Sequence, residues 1–156
     1  MTIKNSTIYK IFGVAVVVAL FAYSIINALL NSSSKPPVAT PPPAGQINIS
    51  TNSGAVPVKD FTKNPAEAVN GNLAVQKTGQ FTIDYYPQDQ SFVISLSAQP
   101  IQKSRDAAEQ ALLSDLGLDQ ITACKLKVSL TVPFNVDNNL AGQDYGLSFC
   151  PLGKPF

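Results

Sequence analysis

The chain contains no histidine and no tryptophan, and only two of its 156 residues are cysteine. The missing histidine removes the commonest general base and the commonest metal ligand. Two cysteines cannot complete a zinc site alone, and they do not stand as the C-x-x-C of a redox pair. Charge is also scarce: 11 Lys and Arg against 10 Asp and Glu leave a net charge of +1. The positives are dispersed, with no Lys/Arg cluster to neutralise a row of phosphates, so nucleic acid is not an expected partner. No serine sits in G-x-S-x-G, and no pair of carboxylates is spaced for acid–base work. Nothing in the pattern calls for a cofactor, and the residue types argue against an enzyme.

What is present is one long apolar run. Residues 11–30, IFGVAVVVALFAYSIINALL, carry no charge, and Ser24 and Asn27 are their only clearly polar members. At 1.5 Å per residue a helix of this length spans about 30 Å, the hydrocarbon thickness of a bilayer. The run is longer than the apolar core of a cleaved signal, and NALLNSSS offers no good small-x-small cleavage site. A single transmembrane anchor follows as the expectation, with the lipid bilayer as its partner. Lys4 and Lys10 precede it and Lys35 stands alone behind it, which places the short tail 1–10 in the cytoplasm and the remainder outside the cell membrane.

After the anchor, Pro36, Pro37 and Pro41 to Pro43 fall close together beside Ser32 to Ser34. Proline fixes φ and gives up a donor, so residues 31–56 read as an extended Pro/Ser-rich linker. The remaining stretch, 57–156, is the size of one small domain, with its core expected at about 73–151.

Within that domain the hydrophobic period is first two, then helical, then two again. Phe81, Ile83 and Tyr85 alternate with polar neighbours up to a PQDQ turn, and Phe92, Ile94 and Leu96 alternate after it, a β-hairpin. The segment SRDAAEQALLSDLG predicts a helix capped by Ser104 and stopped by Gly117, with Leu118 packing back. Ala108, Leu112 and Leu116 make its core-facing stripe. Glu109 leans toward that stripe and is expected to lie at the helix edge or to pair with Arg105. Leu126, Val128, Leu130 and Val132 predict a third strand, and YGLSFC a fourth. The fold class is therefore α+β: a small antiparallel sheet with one amphipathic helix, in the order β-β-α-β-β.

If the third and fourth strands are antiparallel neighbours, Cys124 before one lies beside Cys150 at the end of the other. A disulfide there closes a loop worth about 3.5 kcal/mol in the chain-entropy model, and outside the cytoplasm oxidation is permitted. The loop between those strands is longer than adjacent strands need. Long polar loops are often functional, so Phe134, Asn135, Asp137, Asn138, Asn139, Gln143, Asp144 and Tyr145 form the candidate binding loop. Asp137, Asn139 and Gly142 match three positions of an EF-hand calcium loop, but Ala141 and Ser148 stand where two ligands belong, so no metal is expected. Tyr86, on the outer side of its strand, is a second candidate contact.

The stretches AEQALLSDLGLDQITACKLKVSL and NLAGQDYGLSFCP, with VKDF at Val58 to Phe61, resemble a group of single-span proteins from small-genome, uncultivated bacterial lineages. Those proteins share the order anchor, Pro-rich spacer, Cys-bearing domain. The resemblance spans residues 58–151. It implies an extracytoplasmic domain with paired Cys124 and Cys150, and no particular activity. Function is thus expected to be that of a membrane-tethered binding or assembly module with an unknown protein or cell-envelope partner. The alternative is a structural subunit acting through its transmembrane helix, where Ser24, Asn27, Gly13 and Ala15 would make helix contacts.

Overall fold

The computed structural model describes residues 41–156. The tail, the anchor at 11–30 and the first part of the linker lie outside the described residues. Among those described, no helix is long and apolar enough to cross a membrane.

Regular structure begins earlier than the linker reading allows. Gln46–Thr51 (β1) and Gly54–Lys59 (β2) pair antiparallel, with Ile49 opposite Val56 and Ile47 opposite Val58. Ile49 is 1% exposed, and Val56 and Val58 are buried with it. The boundary at 56 is therefore corrected: residues 46–56 belong to the folded unit, and the core reaches back past residue 73 to Ile49. The Thr51 hydroxyl closes the turn by donating to the Gly54 carbonyl at 2.7 Å. Next, Phe61–Lys63 forms one 3-10 turn, whose Thr62 N–H is accepted by Asp60. Phe61 is driven inward and meets Tyr85 and Phe92 edge-on at 5.0 and 5.8 Å.

A five-stranded sheet follows, in spatial order β3-β4-β5-β6-β7. Its strands are Glu67–Val69 (β3), Asn72–Lys77 (β4), Phe81–Tyr86 (β5), Ser91–Leu96 (β6) and Lys127–Thr131 (β7). Asn70 and Gly71 join β3 to β4 with φ of 52° and 84°. Two successive positive φ values make the mirror-image turn that suits tight hairpins, and Asn-Gly is the pair that adopts it most readily. The β5–β6 hairpin sits where the alternation predicts, Phe81 opposite Leu96 and Tyr86 opposite Ser91.

The long helix, α1, spans Ile101–Leu116. It starts one turn before Ser104. That residue is not the cap; it is buried, and its hydroxyl donates to the Ala98 carbonyl at 2.8 Å. The end is as expected: Gly117 takes φ 65°, and the Leu118 N–H bonds the Leu113 carbonyl. The Lys59 ammonium adds a second closure by donating to the Ser114 carbonyl at 2.9 Å. A cation there also opposes the negative end of the helix dipole. A short turn of helix, Gln120–Ala123 (α2), is capped by Asp119, which accepts from the Thr122 N–H at 2.8 Å.

Two expectations about the end of the domain are corrected. β7 runs parallel to β6, with Phe92 opposite Val128 and Ile94 opposite Leu130. A helix between two neighbouring strands returns the chain to the starting end of the sheet, which makes the pair parallel. And YGLSFC is not a strand; residues 145–150 run through bends and turns. The fold is a mixed α+β domain, mostly sheet, rather than β-β-α-β-β. α1 and the β1–β2 hairpin share one core with the inner face of the five-stranded sheet, around Phe92, Ile94, Leu112 and Leu130, all 0% exposed.

Candidate functional site

The candidate loop is built by its own side chains. Pro133 starts it, and its carbonyl accepts the N–H groups of Val136 and Asp137 at 3.0 and 3.2 Å. Asp137 then accepts the Asn139 N–H at 3.0 Å, an Asx turn. Val136 and Leu140 pack partly against the core. At the far end Asp144 replaces a missing strand. Its Oδ1 accepts the Leu130 N–H at 3.0 Å and the Gly146 N–H at 2.9 Å, while Oδ2 accepts the Ser129 hydroxyl at 2.8 Å. Partial burial pushes this carboxyl up, but the Gly146, Ser129 and Leu130 donors together, with Lys154 nearby, hold it below the usual carboxylate range.

Tyr145 is core. It is 3% exposed, and its hydroxyl donates back to the Leu140 carbonyl at 2.9 Å. It therefore closes the loop from inside. Of the eight candidate residues, Tyr145 and Asp144 hold the loop and Asp137 shapes it. Phe134, Asn135, Asn138, Asn139 and Gln143 face solvent, Phe134 at 74% exposure. The Asp137 carboxylate and the Asn139 N–H are thus occupied in the turn itself, while the Asn139 side chain stands outward. Among the described residues no group of three or more His, Cys, Asp or Glu is placed to hold a metal ion.

Behind the loop lies a feature whose burial sequence reasoning missed. Arg105 is 1% exposed and Glu109 5%. Arg105 Nε donates to Glu109 at 3.0 Å, Nη1 to the Lys154 carbonyl at 2.8 Å and Nη2 to the Gly146 carbonyl at 3.0 Å. The guanidinium also lies 4.8 Å from the Phe156 ring centroid. Glu109 in turn accepts both the N–H and the hydroxyl of Ser148. The pairing of Arg105 with Glu109 is the one expected, but it is internal rather than at a wet edge. The signal was present: Arg105 and Glu109 fall on the same stripe as Ala108, Leu112 and Leu116.

Cys124 and Cys150 are paired, with Cα atoms 5.5 Å apart. The pairing does not come from antiparallel strand ends. Cys124 caps α2, and Cys150 lies in a turn whose N–H bonds the Leu147 carbonyl. The bridge ties α2 to the segment that Arg105 holds.

No protein-family model, curated protein or solved structure matches the chain. Fold and site by themselves define an α+β domain whose irregular end is clamped by one buried arginine and one disulfide.

Proposed function

We propose that the protein is a membrane-tethered, extracytoplasmic binding or assembly module that holds a partner rather than catalysing a reaction. The anchor at 11–30 and the proline-rich stretch after it support the tethering. The observation that carries the binding is Phe134. A phenylalanine that folds inward removes a large apolar area from water. This one stays 74% exposed, although its loop is fixed at both ends and from beneath. An aromatic ring held out by a rigid frame, among the polar side chains of Asn135, Asn138 and Asn139, has the make-up of an interface hot spot with a polar rim.

The test places a photo-crosslinking residue at 134 or 138 of the full-length chain in its own membranes. The same discrete adduct from both positions, absent from exposed position 103 and lost from position 138 on Phe134→Ser, supports the reading. Labelling at 134 and 138 no stronger than at 103 overturns it. A chain that keeps residues 1–40 but carries an unrelated domain, and still co-purifies with that partner, transfers the function to the span. Protease added outside intact cells is expected to digest the domain; full protection, with proven access, reverses the orientation.

A further inference from the structure

The five-stranded sheet has two unlike faces. One is covered by α1 and the β1–β2 hairpin. No described element covers the other, where Thr82, Asp84, Tyr86, Ser91, Ser95 and Thr131 stand half-exposed. Directly paired residues share a face. Glu67, Ala74 and Asp84 therefore form one row across β3, β4 and β5, and Val69 and Asn72 begin the next. Ala74 is the short member, and the larger side chains around it rise past its methyl. The result is a cleft of about 210 Å³ with Ala74 as floor and Glu67, Asn70, Asn72, Asp84 and Tyr86 as walls.

The walls offer carboxylate and amide acceptors together with the amide donors of Asn70 and Asn72 and the Tyr86 hydroxyl, which suits the hydroxyls of a ligand that both donate and accept. Glu67 already takes the Lys77 ammonium at 2.6 Å. Among the described residues Asp84 receives one long hydrogen bond, 3.4 Å, from Thr82, with the Lys77 ammonium acting on it electrostatically. Asn72 Oδ1 is shielded from solvent and has no donor among the described residues. A buried acceptor without a donor is unfavourable, and an amide turned toward the cleft accepts from water or from a donor-bearing ligand. Tyr86 adds an aromatic face, whose negative quadrupole attracts the slightly positive hydrogens of C–H groups. A small-molecule site combines such an apolar wall with a few convergent polar groups.

A sugar ring carries both features, hydroxyl donors around its edge and a C–H face. An ammonium brings donors but no such face, needs far less room, and finds Glu67 already neutralised. Beside the cleft, Thr82, Ser95 and Thr131 are paired in register across three strands. They extend a hydroxyl-bearing track along the same face for further rings. We propose that this face binds a neutral saccharide, one ring seated over Ala74 against Tyr86, with Asp84 as its main acceptor. The site is separate from the loop at 133–144.

The experiment titrates the full-length chain, in a zwitterionic detergent without a sugar headgroup, with neutral tetrasaccharides. These are β-1,4-linked N-acetylglucosamine, β-1,4-linked glucose and α-1,6-linked mannose. Binding is read by calorimetry and by tyrosine fluorescence, which no tryptophan obscures. At least one is expected to saturate below about 5 mM, an affinity ordinary for a shallow site. Tyr86→Ala and Asp84→Asn are each expected to weaken it about tenfold or more, and Ala74→Gln to abolish it by filling the floor. Tyr86→Phe, which keeps the ring, is expected to stay within about twofold. Unchanged melting temperatures of Tyr86→Ala and Asp84→Asn separate lost binding from lost folding. Three results overturn the proposal: no response to any of the three at about 10 mM, binding that persists in both of those variants, or displacement of the sugar by butylamine at lower concentration.

Discussion

Residues 46–131 and residues 133–156 are ordered by different means. The first region is held by repeating backbone ladders: two antiparallel hairpin sets, a long and a short α-helix, and one parallel strand. The second has no strand or helix; its backbone is held by isolated turn bonds such as Cys150 N–H to the Leu147 carbonyl and, in large part, by side chains acting one at a time. Arg105 serves the carbonyls of Gly146 and Lys154, Asp144 serves the N–H groups of Leu130 and Gly146, and Glu109 serves Ser148. A ladder spreads its energy over many equivalent bonds. A side-chain clamp concentrates it in a few residues, so single substitutions should damage the second region far more than its size suggests.

Arg105→Met tests that contrast most severely. It leaves the Glu109 carboxylate buried without its cation and strips two short hydrogen bonds from the end segment. Breaking a buried pair from one side typically costs about 3–5 kcal/mol, and that loss is expected in urea denaturation. A cost below about 1 kcal/mol would mean that the end segment stands without its clamp. Arg105→Lys should rescue little, because an ammonium cannot reproduce the planar fork.

Replacing both cysteines by alanine comes next. The bridge spans a sequence separation of 26 residues, worth about 3.5 kcal/mol by loop-closure entropy. Amide exchange should then quicken in residues 145–153 and much less in β5 and β6. Equal quickening in both regions would show that the two are one cooperative unit.

Gly117→Ala probes the ladder side. A Cβ there needs φ of +65° and would stand 2.9 Å from the Lys59 side chain. The left-handed backbone alone costs about 1–2 kcal/mol, and the lysine, a flexible chain, moves aside. A loss near this range is expected by denaturation. A loss as large as that of Arg105→Met would erase the distinction between the regions.

The smallest effect is expected from pH. The Asp144 carboxyl is held below its unfolded value, so its stabilisation is complete above that value, about 3.9, and fades as pH falls through the folded one. The stability gap between parent and Asp144→Asn should therefore be constant near neutrality and shrink in acid. A gap that widens on acidification would reverse the sign and exclude the hydrogen-bonded carboxylate.

The same division explains what could be read in advance. The hairpin at Phe81–Leu96, the stripe of α1 and the strand around Leu130 were legible because alternation and helical spacing report burial directly. Asn70-Gly71 carries a hairpin signal, but EAV is too short to show a period, so the stretch from Asp60 to Gln76 reads only as a turn or an edge strand before the β5–β6 hairpin. Ile47 and Ile49, then Val56 and Val58, alternate around a polar turn, but their polar setting beside the prolines made them read as linker. The direction of β7 was legible in principle, because the helix that precedes it is a crossover. The candidate loop was found by its length. The inward turn of Tyr145 and the two roles of Asp144 were not, because no periodicity encodes a contact between residues 14 or 40 positions apart.

The clamp also orders events in time. Arg105 waits for a carbonyl 49 residues downstream. At about 5–20 residues per second, roughly 2–10 s of synthesis separate the arginine from Lys154. For most of that interval, until Gly146 is made 41 residues after the arginine, its guanidinium has no main-chain acceptor to close on, and Cys124 has no partner until Cys150 is made. The domain is thus finished by the segment made after Thr131, and a released chain cut short at Thr131 holds every strand and the long helix but leaves the Arg105 charge without its main-chain acceptors.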